Sequence, residues 1–150
     1  MSTNIVEEPQ IRTRKLKVLL VDDDRFIHET LEIYLRNTEY TVTYATNVRD
    51  AMKLIEYAKP DIIITDAMMP GESGFCLIER LKSTPETSSI PIILWTILEE
   101  TNGGVMDATR KADISINKPF YRSDIMGSLE KAKGMIESNE SFAGITVRIN

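Results

Sequence analysis

Four carboxylates, one hydroxyl and one ammonium stand at the ends of short apolar runs in this chain. Asp22, Asp23 and Asp24 follow Lys17-Val18-Leu19-Leu20-Val21, and Asp66 closes Pro60-Asp61-Ile62-Ile63-Ile64-Thr65. Thr96 closes Ile90-Pro91-Ile92-Ile93-Leu94-Trp95, and Lys118 follows the short segment Ile114-Ser115-Ile116. Gathered carboxylates repel and raise one another's pKa unless a cation compensates. Their hard oxygens suit magnesium, and Lys118 offers a second positive charge. With a metal and a lysine beside it, one carboxylate can attack a phosphoryl group and form an acyl phosphate. The triplet Asp22-Asp23-Asp24 by itself is equally a turn or helix-cap sequence. Asp66, Thr96 and Lys118, each at the end of an apolar run, turn the balance toward a site.

The apolar runs that deliver these residues do not alternate polar with apolar. Strands buried on both faces look like this, which is the habit of parallel sheets covered by helices. Tyr40, Val42 and Tyr44 alternate with Thr41 and Thr43, and Ile114-Ser115-Ile116 is half polar, so these two segments suit sheet edges. Helical spacing fills the gaps. Ile27, Leu31, Tyr34 and Leu35 share a face over about Arg25 to Arg36. Val48, Ala51, Met52 and Ile55 form a second stripe capped by Asn47. Phe75, Ile78 and Leu81 form a third. Ile125, Leu129, Ala132 and Ile136 form the last, with Ser123 as its expected cap. Between them, Glu99 to Lys111 carries few apolar residues and is interrupted by Gly103-Gly104, which costs about 2 kcal/mol of helix propensity relative to alanine. A poorly packed or shifted fourth helix is expected there. Five strands alternating with five helices make an α/β doubly wound domain with a parallel sheet, whose ligands bind at the carboxyl ends of the strands.

The 150 residues fit one domain. A net charge of −5 argues against nucleic-acid binding by bulk charge. The single cysteine, Cys76, excludes an internal disulfide and a cysteine-based zinc site. Apolar runs are too short to span a bilayer, and the first ten residues lack a signal-peptide core, so a soluble cytoplasmic protein is expected. Residues 1–14 read as a flexible tail, 15–137 as the domain, and 138–150 as a tail or the start of a linker, in which Ile145, Val147 and Ile149 alternate. Arg12, Arg14, Lys15 and Lys17 read as a solvated edge. His28 reads as a helix-surface histidine, Cys76 as a small core residue, and most methionines as core filler.

In combination, Val21-Asp22-Asp23-Asp24, Asp66-Ala67-Met68-Met69-Pro70-Gly71-Glu72-Ser73-Gly74, Thr96 and Lys118-Pro119-Phe120 resemble the receiver domain of two-component response regulators, over roughly Lys17 to Glu137. The resemblance implies a flavodoxin-like five-stranded sheet of order 2-1-3-4-5. It makes Asp66 the phosphoacceptor and Asp23 a direct magnesium ligand, with Asp22 acting through water and the Met68 backbone carbonyl completing the protein's share of the metal shell. Thr96 would hydrogen-bond the phosphoryl group, and Lys118 would pair with one of its oxygens, aimed by a cis Lys118-Pro119 bond. It further implies a histidine kinase or histidine phosphotransfer protein as donor. The output would pass to a protein partner or a further domain of a longer chain, without direct nucleic-acid or membrane binding.

Three departures accompany this pattern. Ile97 stands where the family usually has alanine or glycine, and is expected to narrow access to Asp66. Ser115 replaces the aromatic residue often found three positions before the lysine, and Gly103-Gly104 interrupts the fourth helix. They motivate a second reading, a receiver-fold interaction module independent of phosphorylation. A third reading, a magnesium-dependent phosphohydrolase, lacks the second acid such enzymes commonly place two residues past the nucleophile, where Met68 stands. The chain is therefore expected to support only its own aspartyl phosphorylation and dephosphorylation.

Overall fold

The computed structural model describes residues 14–97 and 111–142. The tail before Arg14, the alternating residues after Phe142 and, apart from Lys111, the weak fourth helix lie outside the described residues. The elements are β1 (Leu16–Val21), α1 (Arg25–Leu35), β2 (Tyr40–Ala45), α2 (Val48–Tyr57), β3 (Ile62–Asp66), α3 (Gly74–Ser83), β4 (Ile92–Thr96), β5 (Ile114–Asn117) and α4 (Arg122–Phe142). All pairings are parallel and the strand order is β2-β1-β3-β4-β5.

The alternation of side chains along a strand sorts the core into two layers. Leu19, Val21, Ile63, Ile92 and Leu94 face one way and meet Val48, Ala51 and Ile55 of α2 and Leu77, Ile78 and Leu81 of α3. Val18, Leu20, Ile62, Ile64, Ile93 and Trp95 face the other way and meet Leu31 and Leu35 of α1 and Ile125, Leu129 and Ala132 of α4. Every residue of β3 and β4 is buried, whereas β2 and β5 alternate, as expected of sheet edges. Burying each aliphatic side chain contributes roughly 1.5–3 kcal/mol before ordering costs.

Helix starts follow local side-chain chemistry. Asp24 caps α1 by accepting the Phe26 N–H at 2.9 Å, so the third carboxylate of the triplet does structural work. Asn47 caps α2, accepting the Asp50 N–H at 2.7 Å. Ser73 caps α3 by accepting the Cys76 N–H at 3.3 Å. The cap expected at Ser123 is not formed. The last helix begins at Arg122, which places Ser123 inside its first turn, and the Asp124 carboxylate reaches back to accept the Tyr121 N–H at 2.7 Å. That helix runs to Phe142, past the Glu137 boundary read from periodicity. Beyond Ile136 the apolar stripe ends, and Glu137, Ser138 and Asn139 continue the helix with exposed polar side chains.

One smaller expectation is corrected. Cys76 is exposed, because it precedes Leu77 and turns to the outer face of α3. Met68 is 56% exposed, whereas its neighbour Met69 is buried. The basic edge is solvated as expected at Arg14, which pairs with Asp61 at 2.7 Å.

Candidate functional site

β1 and β3 lie side by side at the centre of the sheet, where the order of connection reverses. Such a switch point opens a crevice beyond the strand ends. Asp22 and Asp23 leave the end of β1, and Asp66 is the last residue of β3. Carboxylate oxygens of Asp22, Asp23 and Asp66 lie within 4.8 Å of one another, with Asp23 exposed and the other two buried. Lys118, just past β5, reaches in, with its Nζ 3.5 Å from Asp22 Oδ2 and 3.4 Å from Asp66 Oδ1. The peptide bond that follows Lys118 is cis. Thr96 ends β4 as a buried residue, and its carbonyl accepts the Lys118 N–H at 2.9 Å.

Asp22 is fully buried and doubly bonded. Its Oδ1 accepts the Asp24 N–H at 2.9 Å, and its Oδ2 accepts the Trp95 Nε1–H at 3.2 Å. Burial pushes its carboxyl above the ordinary 3.8, and the nearby Asp66 and Asp23 charges add to that push. The Asp24 N–H and Lys118 pull the other way. The carboxylate set therefore holds more negative charge than one lysine neutralises. Hard oxygens at this spacing fit an added divalent cation. Met68 follows β3 by two residues, which brings its backbone to the same edge.

His28 overturns its surface reading. It is only 8% exposed, donates from Nε2 to the Asp22 carbonyl at 2.6 Å, and stacks on Tyr44 with ring centroids 4.9 Å apart. One turn into α1 it points back at the β1–α1 junction, so it braces the loop that carries the acidic pair. Gly74 does similar work under Asp66. Its N–H bonds to the Ala67 carbonyl at 3.0 Å, and a Cβ there would run into the Asp66 carbonyl. Ile97, next to Thr96, is 73% exposed and forms an apolar groove with Phe26, Tyr34, Pro119 and Phe120.

Against known proteins, residues 18–130 match the model of the response regulator receiver domain. The chain belongs to the response regulator receiver family. It is 28% identical over 144 residues to regulatory protein VanR of Enterococcus faecium, covering 89% of this chain and 61% of that protein. It is 34% identical over 130 residues to the phosphate regulon transcriptional regulatory protein PhoB of Pseudomonas aeruginosa, covering 87% of this chain and 57% of that one. The receiver thus spans less than two thirds of the length of these relatives. Among solved structures it resembles the signal receiver domain of a signal transduction histidine kinase from Syntrophus aciditrophicus. That match has a TM-score of 0.72 and 30% identity, and covers 82% of this chain and 91% of that one.

The receiver fold accordingly brings Asp22, Asp23, Asp66 and Lys118 to one crevice, with Thr96 at the neighbouring strand end. Neither the Trp95 N–H nor the His28 ring has a role that the sequence alone points to. Trp95 adjoins Thr96 in sequence, which was the available signal. The bond to Asp22 depends on the ring crossing under β3, which no local pattern reveals.

Proposed function

We infer that this receiver is a phosphoacceptor switch, with Asp66 as the acceptor. The observation that carries this reading is the ion pair of Lys118 with Asp66 beside two further carboxylates on the same sheet edge. Asp22, Asp23, Asp66 and the Met68 carbonyl would hold magnesium, Asp22 acting through water. When bound, the metal supplies positive charge to the phosphoryl oxygens. An Asp66 carboxylate oxygen attacks the phosphorus in line, and the bond to the donor's leaving group breaks as the acyl phosphate forms. Lys118 leaves the Asp66 carboxylate and pairs with a phosphoryl oxygen. The Thr96 hydroxyl donates to another. Positioning and charge stabilisation then provide most of the rate.

The donor is a histidine kinase or histidine phosphotransfer protein, and the exposed apolar side chains of Phe26 and Ile97 beside the crevice suit protein docking. The product is a changed surface for a protein partner or for a further domain of a longer chain. A cytoplasmic place follows from that partnership. Among the described residues, no helix is long and apolar enough to cross a membrane. Incubation with acetyl phosphate or phosphoramidate, followed by intact mass, tests the reading. The expected result is a magnesium-dependent gain of one phosphoryl group, lost in Asp66→Asn. A folded, magnesium-bound protein that gains nothing from these donors or from a partner kinase would leave the phosphorylation-independent module as the better account.

A further inference from the structure

We propose that Trp95 is a positioning residue of the acidic site, its indole N–H holding the Asp22 carboxylate in place so that Lys118 can turn to the phosphoryl group. This rests on the reading of Asp66 and its magnesium site given above.

Trp95 is fully buried on β4, in register with Asp66 of β3. Its ring is fixed on both counts that matter. It lies parallel to Phe120, with centroids 4.6 Å apart and planes 5° from one another, and its edge is packed in the layer of Leu20, Ile64, Ile93 and Ile125. The N–H therefore has one direction to point, and that direction ends on Asp22 Oδ2 at 3.2 Å. Oδ1 of the same group accepts the Asp24 N–H at 2.9 Å. Two neutral donors thus hold both oxygens of Asp22, one a side chain of β4 and the other the backbone at the cap of α1. Each oxygen keeps a lone pair for a cation or its water.

Neutrality matters here. Lys118 Nζ lies 3.5 Å from the same Oδ2, 3.4 Å from Asp66 and 5.8 Å from the centroid of the Trp95 ring. If Lys118 were the sole partner of Oδ2, its departure would strand a buried charge, which is costly. The indole keeps Oδ2 bonded throughout and adds no positive charge to repel a divalent cation. A tryptophan serving only as core filler would need some partner for its buried N–H, yet it would leave the metal affinity unchanged when that N–H is lost. The two roles therefore separate experimentally.

Trp95→Phe keeps a ring against Phe120 and removes the N–H. Magnesium affinity of the full chain is read by titration calorimetry for wild type, Trp95→Phe, Asp22→Asn and the double variant, with thermal midpoints measured in chelator. Partners that orient a metal site typically affect affinity 10–100-fold. We expect Kd for magnesium to rise about tenfold in Trp95→Phe, with no further rise when Trp95→Phe is added to Asp22→Asn. A Kd within about twofold of wild type, whatever the midpoint does, overturns the proposal. So does the same added loss in the Asp22→Asn background.

The chain has one tryptophan, so the indole gives a single nitrogen–proton resonance on the unaltered protein. It should shift along the magnesium titration and move in Asp22→Asn. An indole signal indifferent to both overturns the proposal even if Trp95→Phe fails to fold. Wild type that binds no magnesium would sink the site reading itself, and this inference with it. Wild type that binds, with unchanged Trp95→Phe, removes the Trp95 role alone.

Discussion

Lys118 is the cation shared between Asp22 and Asp66, with Nζ 3.5 Å from one and 3.4 Å from the other. In Lys118→Gln the carboxylates keep their places but the transferring phosphoryl group loses a charged partner. Loss of one such electrostatic contact typically costs about a hundredfold in rate. An intact-mass time course with phosphoramidate should show that loss, while Kd for magnesium changes only a few-fold. An unchanged rate would remove Lys118 from the transfer step. Asp22, Asp66, Thr96 and Lys118 were legible as candidates because each stands at the end of an apolar run, where strand order alone decides what meets. His28 and Trp95 were not, for a physical reason. Both act through ring nitrogens aimed across elements, and although the spacing of His28 to Leu31 and Leu35 is a signal of burial, it does not show what the ring nitrogen meets. Its partner is a backbone carbonyl, which carries no sequence signal at all.

α3 starts where it does because Gly74 lets the helix approach the end of β3. A Cβ at that position would collide with the Asp66 carbonyl and stand 3.0 Å from the Thr65 hydroxyl oxygen. Both are fixed atoms in a fully buried strand, so the helix must shift. Gly74→Ala is therefore expected to cost at least about 2 kcal/mol by denaturant titration, in the range of core overpacking. Because the displaced strand end carries Asp66, magnesium affinity should fall as well. A neutral substitution would mean that the loop between Ala67 and Ser73 absorbs the added atom without moving either element. The cap at Asn47 and the edge character of β2 and β5 were legible, since each is set by neighbours in sequence or by a period of two. Ser123 failed as a cap because Ser123 and Asp124 compete for one helix start. The carboxylate two residues inside α4 reaches the Tyr121 N–H, and the helix begins one residue earlier.

Across the whole molecule, two buried layers and a paired central sheet support a crevice that is overloaded with negative charge. Asp22 is held above its ordinary 3.8 chiefly by burial. In the metal-free protein its contribution to stability is complete below that value and is lost as pH rises through the raised folded value. A divalent cation binds the ionised form, so its stabilising effect grows over the same window. At a hundredfold excess over Kd, mass action gives about 2.7 kcal/mol. The magnesium-induced rise in thermal midpoint should be larger at about pH 7 than at about pH 4.5, and should vanish in Asp23→Asn. A rise independent of pH would place the ion away from Asp22. The fold class and strand order were legible because unbroken apolar runs alternate with helical stripes. The end of α4 was not, since the exposed polar residues Glu137, Ser138 and Asn139 carry the helix on with no apolar pattern to mark it. Everything proposed for this crevice turns on Asp66 as the acceptor of the phosphoryl group. The most direct measurement is reduction of the phosphorylated chain with borohydride, which converts an acyl phosphate to the alcohol, followed by peptide mass mapping. Homoserine is expected at position 66, dependent on magnesium and on the phosphodonor. Homoserine at Asp22 or Asp23, or phosphorylated protein with none at position 66, would contradict it.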